Sequence, residues 1–276
     1  MIRRHSTAQG RFYVDTDTGE RWPSVTTVLS AVKVGTKDKA LMRSYATKTA
    51  WRAVDNVEEL WERIHRDGKD SAAKWLSAAP EEHMQQARTR GDALHTIVDR
   101  RTRGEHATTT DPTVSRMVEQ WEQWCRDWGV DIVAPEAVVI NRTTGYGGTA
   151  DWFGICHQLD DALVIGDYKT GTYGPYPSAA LQLAAYAWAE LWTPGGDLNS
   201  LEPFPWANPD VGYIVKVRPH GVEMYRTVQP LSDLFRTFTA MVHVHRWGQL
   251  DKKDVFDLVD NEAAERRRSF HPEEIN

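Results

Sequence analysis

The stretch Leu163-Val-Ile-Gly-Asp-Tyr-Lys-Thr-Gly171 opens apolar and then presents an acid and a base two positions apart. Side chains alternate along a strand, so Asp167 and Lys169 project from one face with Cα atoms about 7 Å apart. Upstream, Gly148-Thr-Ala-Asp151 leads into another β-type run, Thr149 to Cys156. The polar segment His157-Gln-Leu-Asp-Asp161 joins the two runs as an expected antiparallel hairpin. Leu159, midway between 151 and 167, falls inside that turn, so the expected register sets Asp151 opposite Asp167. Opposed carboxylates repel unless one is protonated or a cation lies between them, and an oxygen-rich site of this kind suits Mg²⁺ or Mn²⁺. Metal-assisted hydrolysis is therefore the leading chemistry.

Working outward, a helix expected over Ser178 to Trp192 carries Gln182 and Tyr186 at i, i+4, a polar pair facing one way on an otherwise apolar helix. Further upstream, Arg90-Gly-Asp-Ala-Leu-His95 sets a histidine four residues after a helical glycine, and Gly91 invites a packing or close-approach explanation. Arg88, Arg90, Arg100, Arg101 and Arg103 lie around it, a set that would suit a phosphate-bearing ligand. Each feature alone has an ordinary reading: a solvated strand, a surface acid, a polar helix edge, a structural histidine. Their conjunction is what points to a site.

The rest of the chain divides into a helical first half and a mixed second half. A short extended piece is expected at Arg11 to Val14, followed by a helix start at Val25 capped from Ser24. Helices follow over 38–54, 57–66, 70–78, 81–103 and 112–128. In the last, Val114, Met117, Trp121, Trp124 and Trp128 form one apolar stripe, read as core rather than as a base-stacking platform. Strands are expected at Ile132-Val133 and Ala137–Ile140, then after a loop over 193–210 at Gly212–Val217 and Val222–Val228, with a final helix at 231–247.

Composition narrows the function classes. The 276 residues hold 33 Lys+Arg against 39 Asp+Glu, a net charge of −6, with 41% hydrophobic and 26% charged residues, the profile of a globular chain able to bury a core. Two cysteines, Cys125 and Cys156, cannot supply a four-thiolate zinc or iron-sulfur site. The expected compartment is a reducing cytoplasm, and neither a secretory leader nor a membrane partner is indicated by the apolar runs. Charge is unevenly spread: Lys33, Lys37, Lys39, Arg43, Lys48 and Arg52 against Asp38 give a local +5, read either as a backbone-tracking surface or as a solvated helix face.

Taken in order, His95, Glu136, Gly148-Thr-Ala-Asp151, Asp167-Tyr-Lys-Thr-Gly171 and Gln182-Leu-Ala-Ala-Tyr186 resemble the RecB-like branch of the PD-(D/E)XK nuclease superfamily. Pro23-Ser-Val-Thr-Thr-Val28 also looks like the opening of phage-encoded members. The resemblance implies an α/β fold with a restriction-endonuclease-like core, a mixed central sheet flanked by helices, preceded by an N-terminal helical region. It implies metal ligation by His95, Asp151 and Asp167, charge stabilisation or water activation by Lys169, and supporting roles for Gln182 and Tyr186. Glu136 matches the acid of the preceding strand. The expected division is an N-terminal region over 1–80, a nuclease core over 81–250 and a charged tail over 251–276.

The implied activity is a Mg²⁺- or Mn²⁺-dependent DNA exonuclease of phage replication or recombination, leaving 5′ phosphates. DNA is the implied partner, with a single-strand annealing or recombination protein as a candidate second one. The four cysteines of iron-sulfur relatives are missing, so no iron-sulfur cluster is expected, and no GxxxxGK[ST] supplies a motor. Two alternatives stay open: a non-catalytic DNA-binding or scaffold protein on the same fold, and a nuclease for RNA or branched DNA.

Overall fold

The hairpin quoted first forms the middle of a large sheet. In a computed structural model, which describes residues 1–7, 10–31, 37–171, 174–194 and 197–256, strand β5 (Tyr146–Cys156) runs antiparallel to β6 (Ala162–Lys169). The side chains of 37–41 and of 252 lie outside the described residues, as do 257–276 of the charged tail and 33–36 of the basic stretch. Their expected roles are therefore not addressed by the structure.

The ladder runs from Cys156↔Ala162 to Trp152↔Gly166, the register expected from the turn position. A glycine at 166 is needed there, since a Cβ would stand 1.9 Å from the Trp152 indole. On one side β6 pairs in parallel with β9 (Gly212–Arg218), which continues antiparallel to β10 (Gly221–Arg226). On the other, β5 pairs with β4 (Val130–Asn141), followed by β7 (Leu191–Thr193) and β8 (Glu202–Pro203). The result is a seven-stranded mixed sheet of order β10-β9-β6-β5-β4-β7-β8.

Helices cover both faces. On one, α1 (Val25–Ala31), α5 (Pro177–Ala187) and α6 (Leu231–Trp247) bury Val28, Leu183, Ala184 and Phe238 against Val139, Phe153 and Ile165 of the sheet. On the other, α4 (Pro112–Trp128) and the end of α3 (Val57–Thr102) bury Leu94, Val98, Met117, Trp121 and Trp124 against Trp152, Val164, Tyr168 and Val215. Each fully buried side chain of this size contributes about 1.5–3 kcal/mol, so the two faces carry most of the fold's cohesion. The protein is thus a mixed α/β structure with a large sheet flanked by helices. Among the described residues no helix is long and apolar enough to cross a membrane.

Helix α4 spans the expected residues because every local signal agrees. The Asp111 carboxylate accepts the amides of Thr113 and Val114, Pro112 opens the first turn, and Gly129 closes the helix with φ 56°. Its stripe is core, with Trp128 partly buried.

Other expectations are corrected. Three strands, β1 (Ile2–Thr7), β2 (Gly10–Asp15) and β3 (Arg21–Pro23), form an antiparallel sheet, so the N-terminal region is not helical throughout. Tyr13 and Trp22 pin this sheet onto Val138 and Ile140. Of the two breaks expected between 57 and 103, the one between 66 and 70 falls at Gly68 (φ 82°, ψ 170°), while the one at 79–80 does not occur and Pro80 sits buried inside the helix. An interior proline costs about 3 kcal/mol, offset here by tertiary packing.

The helix expected to reach Trp192 ends at Ala187. There Asn141 Nδ2 donates to Trp188 O at 2.8 Å, the Tyr146 hydroxyl donates to Ala185 O at 2.7 Å, and the Glu190 amide donates to Ile140 O at 2.9 Å. These bonds draw Leu191–Thr193 into the sheet as β7, and Glu202–Pro203 adds β8 within the expected loop. The two short runs expected at 132–133 and 137–140 are one strand, β4, with a bulge between Ile132 and Ala134.

Candidate active site

The site lies where β5 and β6 separate. Beyond Trp152↔Gly166 the regular pairing stops, and Asp151 Oδ2 accepts the Tyr168 amide at 2.7 Å in place of a ladder bond. Tyr168 is buried, its hydroxyl accepting Trp121 Nε1 at 2.9 Å, so the Asp151 carboxylate is held by the core of the opposite face.

Strand β4 supplies the second acid through an irregularity. Its ladder with β5 steps from Pro135↔Trp152 to Ala137↔Ala150, passing over Glu136, whose φ is 47°. A non-glycine residue in this region costs about 1–3 kcal/mol and is retained where surrounding structure over-determines it. Glu136 Oε1 comes 3.7 Å from His95 Nδ1, which in turn lies 3.6 Å from Asp151 Oδ2.

Helix α3 brings the histidine. His95 meets the Tyr168 ring edge-on at a centroid distance of 5.8 Å. Gly91, one turn earlier, faces the end of β6: a Cβ there would meet Thr170 Oγ1 at 3.2 Å, which is the close approach that the helical glycine suggests. One ligating atom from each of His95, Glu136 and Asp151 lies within 4.8 Å of the others, a spacing that fits one hard cation.

Asp167 is in the same neighbourhood with different partners. It is 1% exposed, its Oδ2 faces the Lys169 ammonium as its ion-pair partner, and its Oδ1 accepts Gln182 Nε2 at 3.1 Å. Gln182 Nε2 also lies 3.3 Å from the Tyr186 hydroxyl, so the i, i+4 pair of α5 acts as a unit. Gly148 makes room for it, since a Cβ would stand 2.3 Å from Tyr186 Cε1. The structure therefore groups His95 and Asp151 with Glu136, while Asp167 is bound to Lys169 and Gln182.

The electrostatics follow from burial among acids. Burial pushes Asp167 up, repulsion from Asp151 adds to it, and Lys169 and His95 pull back, leaving it at about 6. For His95, burial favours the neutral ring, but Asp151, Glu136 and Asp167 outweigh it and raise the pKa to about 9. Burial likewise disfavours the Lys169 ammonium, and Asp167 and Asp151 overcome that to hold it charged. Burial and the two aspartates keep Tyr186 protonated. In effect the protons of His95 and Lys169 compensate carboxylates that a divalent cation could compensate instead.

A cleft of about 520 Å³ opens over the cluster, lined by Asp92, Thr96 and Asp99 of α3 together with Arg11, Thr26 and Thr149. Asp92 and Asp99 stand at i−3 and i+4 from His95, so helical period alone could have found them. Arg11 and Thr26 come from the N-terminal segment, with no local signal to connect them to the site.

The arginines around His95 are mostly engaged in ion pairs, Arg103 with the cleft-lining Asp99. Arg90 pairs with Asp111 at 3.2 Å, Arg100 with Glu105 at 2.7 Å, Arg103 with Asp99 at 2.9 Å, and Arg101 with Glu122. Of the basic stretch, Lys48 lies over the Trp51 ring, and Arg52 pairs with Glu82 and donates to Trp75 O at 2.8 Å. Both belong to the hairpin of α2 (Lys37–Asp55) on α3, and neither lines the cleft.

No family model matches the chain, and no curated protein matches it. One solved structure similar to it is that of SSO0001, with 13% identity, 78% of this chain and 87% of that chain covered, and a TM-score of 0.30. A likeness at that level carries no argument about fold or function.

Proposed function

We propose that this chain is a divalent-metal-dependent DNA nuclease of the RecB-like PD-(D/E)XK type on a restriction-endonuclease-like core. It hydrolyses phosphodiester bonds from strand ends, an activity suited to phage replication or recombination. The observation that supports this reading is one cleft lined by His95, Glu136, Asp151, Gln182 and Tyr186, with Gln182 hydrogen-bonded to Asp167 of the Asp167–Lys169 pair. The donor set, one imidazole and carboxylates, fits Mg²⁺ or Mn²⁺ held by His95, Glu136 and Asp151, with Asp167 as a further ligand if it turns from Lys169.

A cation bound there supplies Lewis acidity and charge neutralisation at the phosphoryl group. The protein's own groups do the rest. Lys169, charged and partly exposed, can hydrogen-bond the attacking water or the developing charge at phosphorus. Asp167 orients Lys169, and Gln182, anchored beside Tyr186, orients Asp167. Water forms the new P–O bond as the bond to the 3′ oxygen breaks, leaving a 5′ phosphate.

The test is incubation of the purified chain with end-labelled linear DNA, closed circular DNA and RNA, with Mg²⁺, Mn²⁺ or EDTA. Metal-dependent loss of linear DNA, abolished by EDTA, is expected. Cleavage of circles at the same rate removes the exonuclease part, preference for RNA removes the DNA part, and no cleavage with either metal overturns the proposal.

A further inference from the structure

The segment Pro23-Ser-Val-Thr-Thr-Val28 has no part in the chemistry above, yet it ties the N-terminal sheet to the site. Ser24 bridges Gly147 on β5, next to Gly148, and its Oγ accepts the Thr27 amide at 3.1 Å at the start of α1. Thr27 Oγ1 donates to Arg11 O at 2.9 Å and accepts the Arg11 amide at 3.2 Å, while the Ser24 amide donates to Arg11 O at 2.9 Å. Gly10, with φ 124°, permits this approach, since a Cβ would stand 2.6 Å from Thr27 Oγ1. The Arg11 backbone is thus fixed on both sides while its side chain stays exposed.

Arg11 borders two concavities. One is the cleft over His95, Glu136 and Asp151; the other is a groove of about 380 Å³ whose walls include Phe12, Arg21, His245, Arg246 and Gln249. Among the described residues lining this groove there are three arginines and no acid, in a chain of net charge −6. Burial and the neighbouring Arg246 lower the His245 pKa, so its ring offers hydrogen bonding rather than charge. The Phe12 ring is engaged by the Arg21 guanidinium at 3.6 Å and by His5 stacked at 5.1 Å.

We propose that this groove binds the nucleic-acid strand adjoining the scissile bond, with Arg11 contacting the phosphate at the boundary between groove and cleft. The proposal rests on the nuclease reading and adds the path of the substrate to it. An acid-lined cleft repels a polyanion, so a strand needs a separate foothold, and arginine forks match phosphate geometry. With arginines on its walls and the Phe12 ring already engaged, the groove holds the backbone and is tolerant of base sequence.

The test is anisotropy of a labelled single-stranded oligonucleotide in EDTA across a salt series, for wild type, Arg11→Ala, Arg11→Lys and Arg11→Ala/Arg21→Ala. Circular dichroism and Mn²⁺ affinity serve as controls for fold and metal cluster. The double variant is expected to bind about tenfold more weakly and to lower the salt slope by about 1–2, with Arg11→Lys keeping the slope and the controls unchanged. If wild type cleaves DNA but the double variant binds with wild-type affinity and slope, the groove assignment falls and the nuclease reading stands. If wild type neither binds nor cleaves nucleic acid, both fall.

Discussion

Two concavities meet at Arg11, and they are built from opposite charge. The cleft gathers Asp92, Asp99, Glu136 and Asp151 around one histidine, and the groove gathers Arg11, Arg21 and Arg246 with no acid among its described lining residues. A net charge of −6 describes neither. The contrast shows how a protein that is acidic overall can present an acidic and a basic concavity side by side: each acts over a few ångströms, while charges farther than about 8–10 Å are screened at physiological salt.

The sharpest way to break this contrast is to disable the cleft alone. Asp151→Asn and Lys169→Ala are each expected to reduce metal-dependent DNA cleavage by about 10³-fold or more, while oligonucleotide binding in EDTA stays within about twofold of wild type. Quenched-flow or gel assays on end-labelled DNA measure the first, anisotropy the second. A folded variant that retains substantial cleavage would remove its residue from the chemistry.

Next in size is the metal cluster itself. Glu136→Gln keeps the residue's shape while removing a negative charge, and it is expected to weaken Mn²⁺ binding about 10–100-fold by isothermal titration, with His95→Ala milder because water can replace one ligand. Unchanged Mn²⁺ affinity in Glu136→Gln would return the ligand set to His95, Asp151 and Asp167.

The pH dependence sharpens the same point. In the metal-free protein His95 is raised from 6.5 to about 9, so its stabilising contribution is complete below about 6.5 and is lost as pH rises through 9. Asp167 is raised from 3.8 to about 6, so its contribution is complete below 3.8 and is lost as pH rises through 6. Both have the same sign. In EDTA the melting temperature should therefore fall from pH 6 to pH 9 relative to His95→Gln, and the increment given by Mg²⁺ should grow over that range, as scanning calorimetry would show. An Mg²⁺ increment independent of pH would detach His95 from the cation.

Smaller effects belong to the glycines that let helices approach the site. Gly148→Ala forces a methyl into Tyr186 and is expected to destabilise the fold by about 1–3 kcal/mol in urea unfolding. Gly91→Ala meets only a side-chain oxygen at 3.2 Å, and the helix-propensity gain of about 1 kcal/mol offsets that contact, so its stability should stay near wild type. A Gly91→Ala loss as large as that of Gly148→Ala would mean that Thr170 cannot yield.

How far the sequence carried depends on whether the deciding signal is local. The β5–β6 register followed from a two-residue period and a polar turn, and α4 followed from a cap, a proline, a glycine and an apolar stripe that all agreed. The end of α5 was not legible, because bonds from Asn141, Tyr146 and Ile140, more than 38 residues away, stop it. Contacts made at a distance also govern the basic stretch at 33–52, where Lys48 lies over Trp51 and Arg52 is held by Trp75 and Glu82, while Arg43 is exposed.

The sequence by itself determined the acid–base pair of Asp167 and Lys169, the hairpin that carries it and the polar i, i+4 pair that supports it, because alternation and helical period are properties of neighbouring residues. Only the tertiary structure decided that Glu136, through a left-handed backbone, joins His95 and Asp151, that Asp167 turns to Lys169 and Gln182, and that Arg11 stands at the cleft's edge. Those outcomes depend on where separate segments meet, and no periodicity along the chain records the distance between side chains that packing brings together.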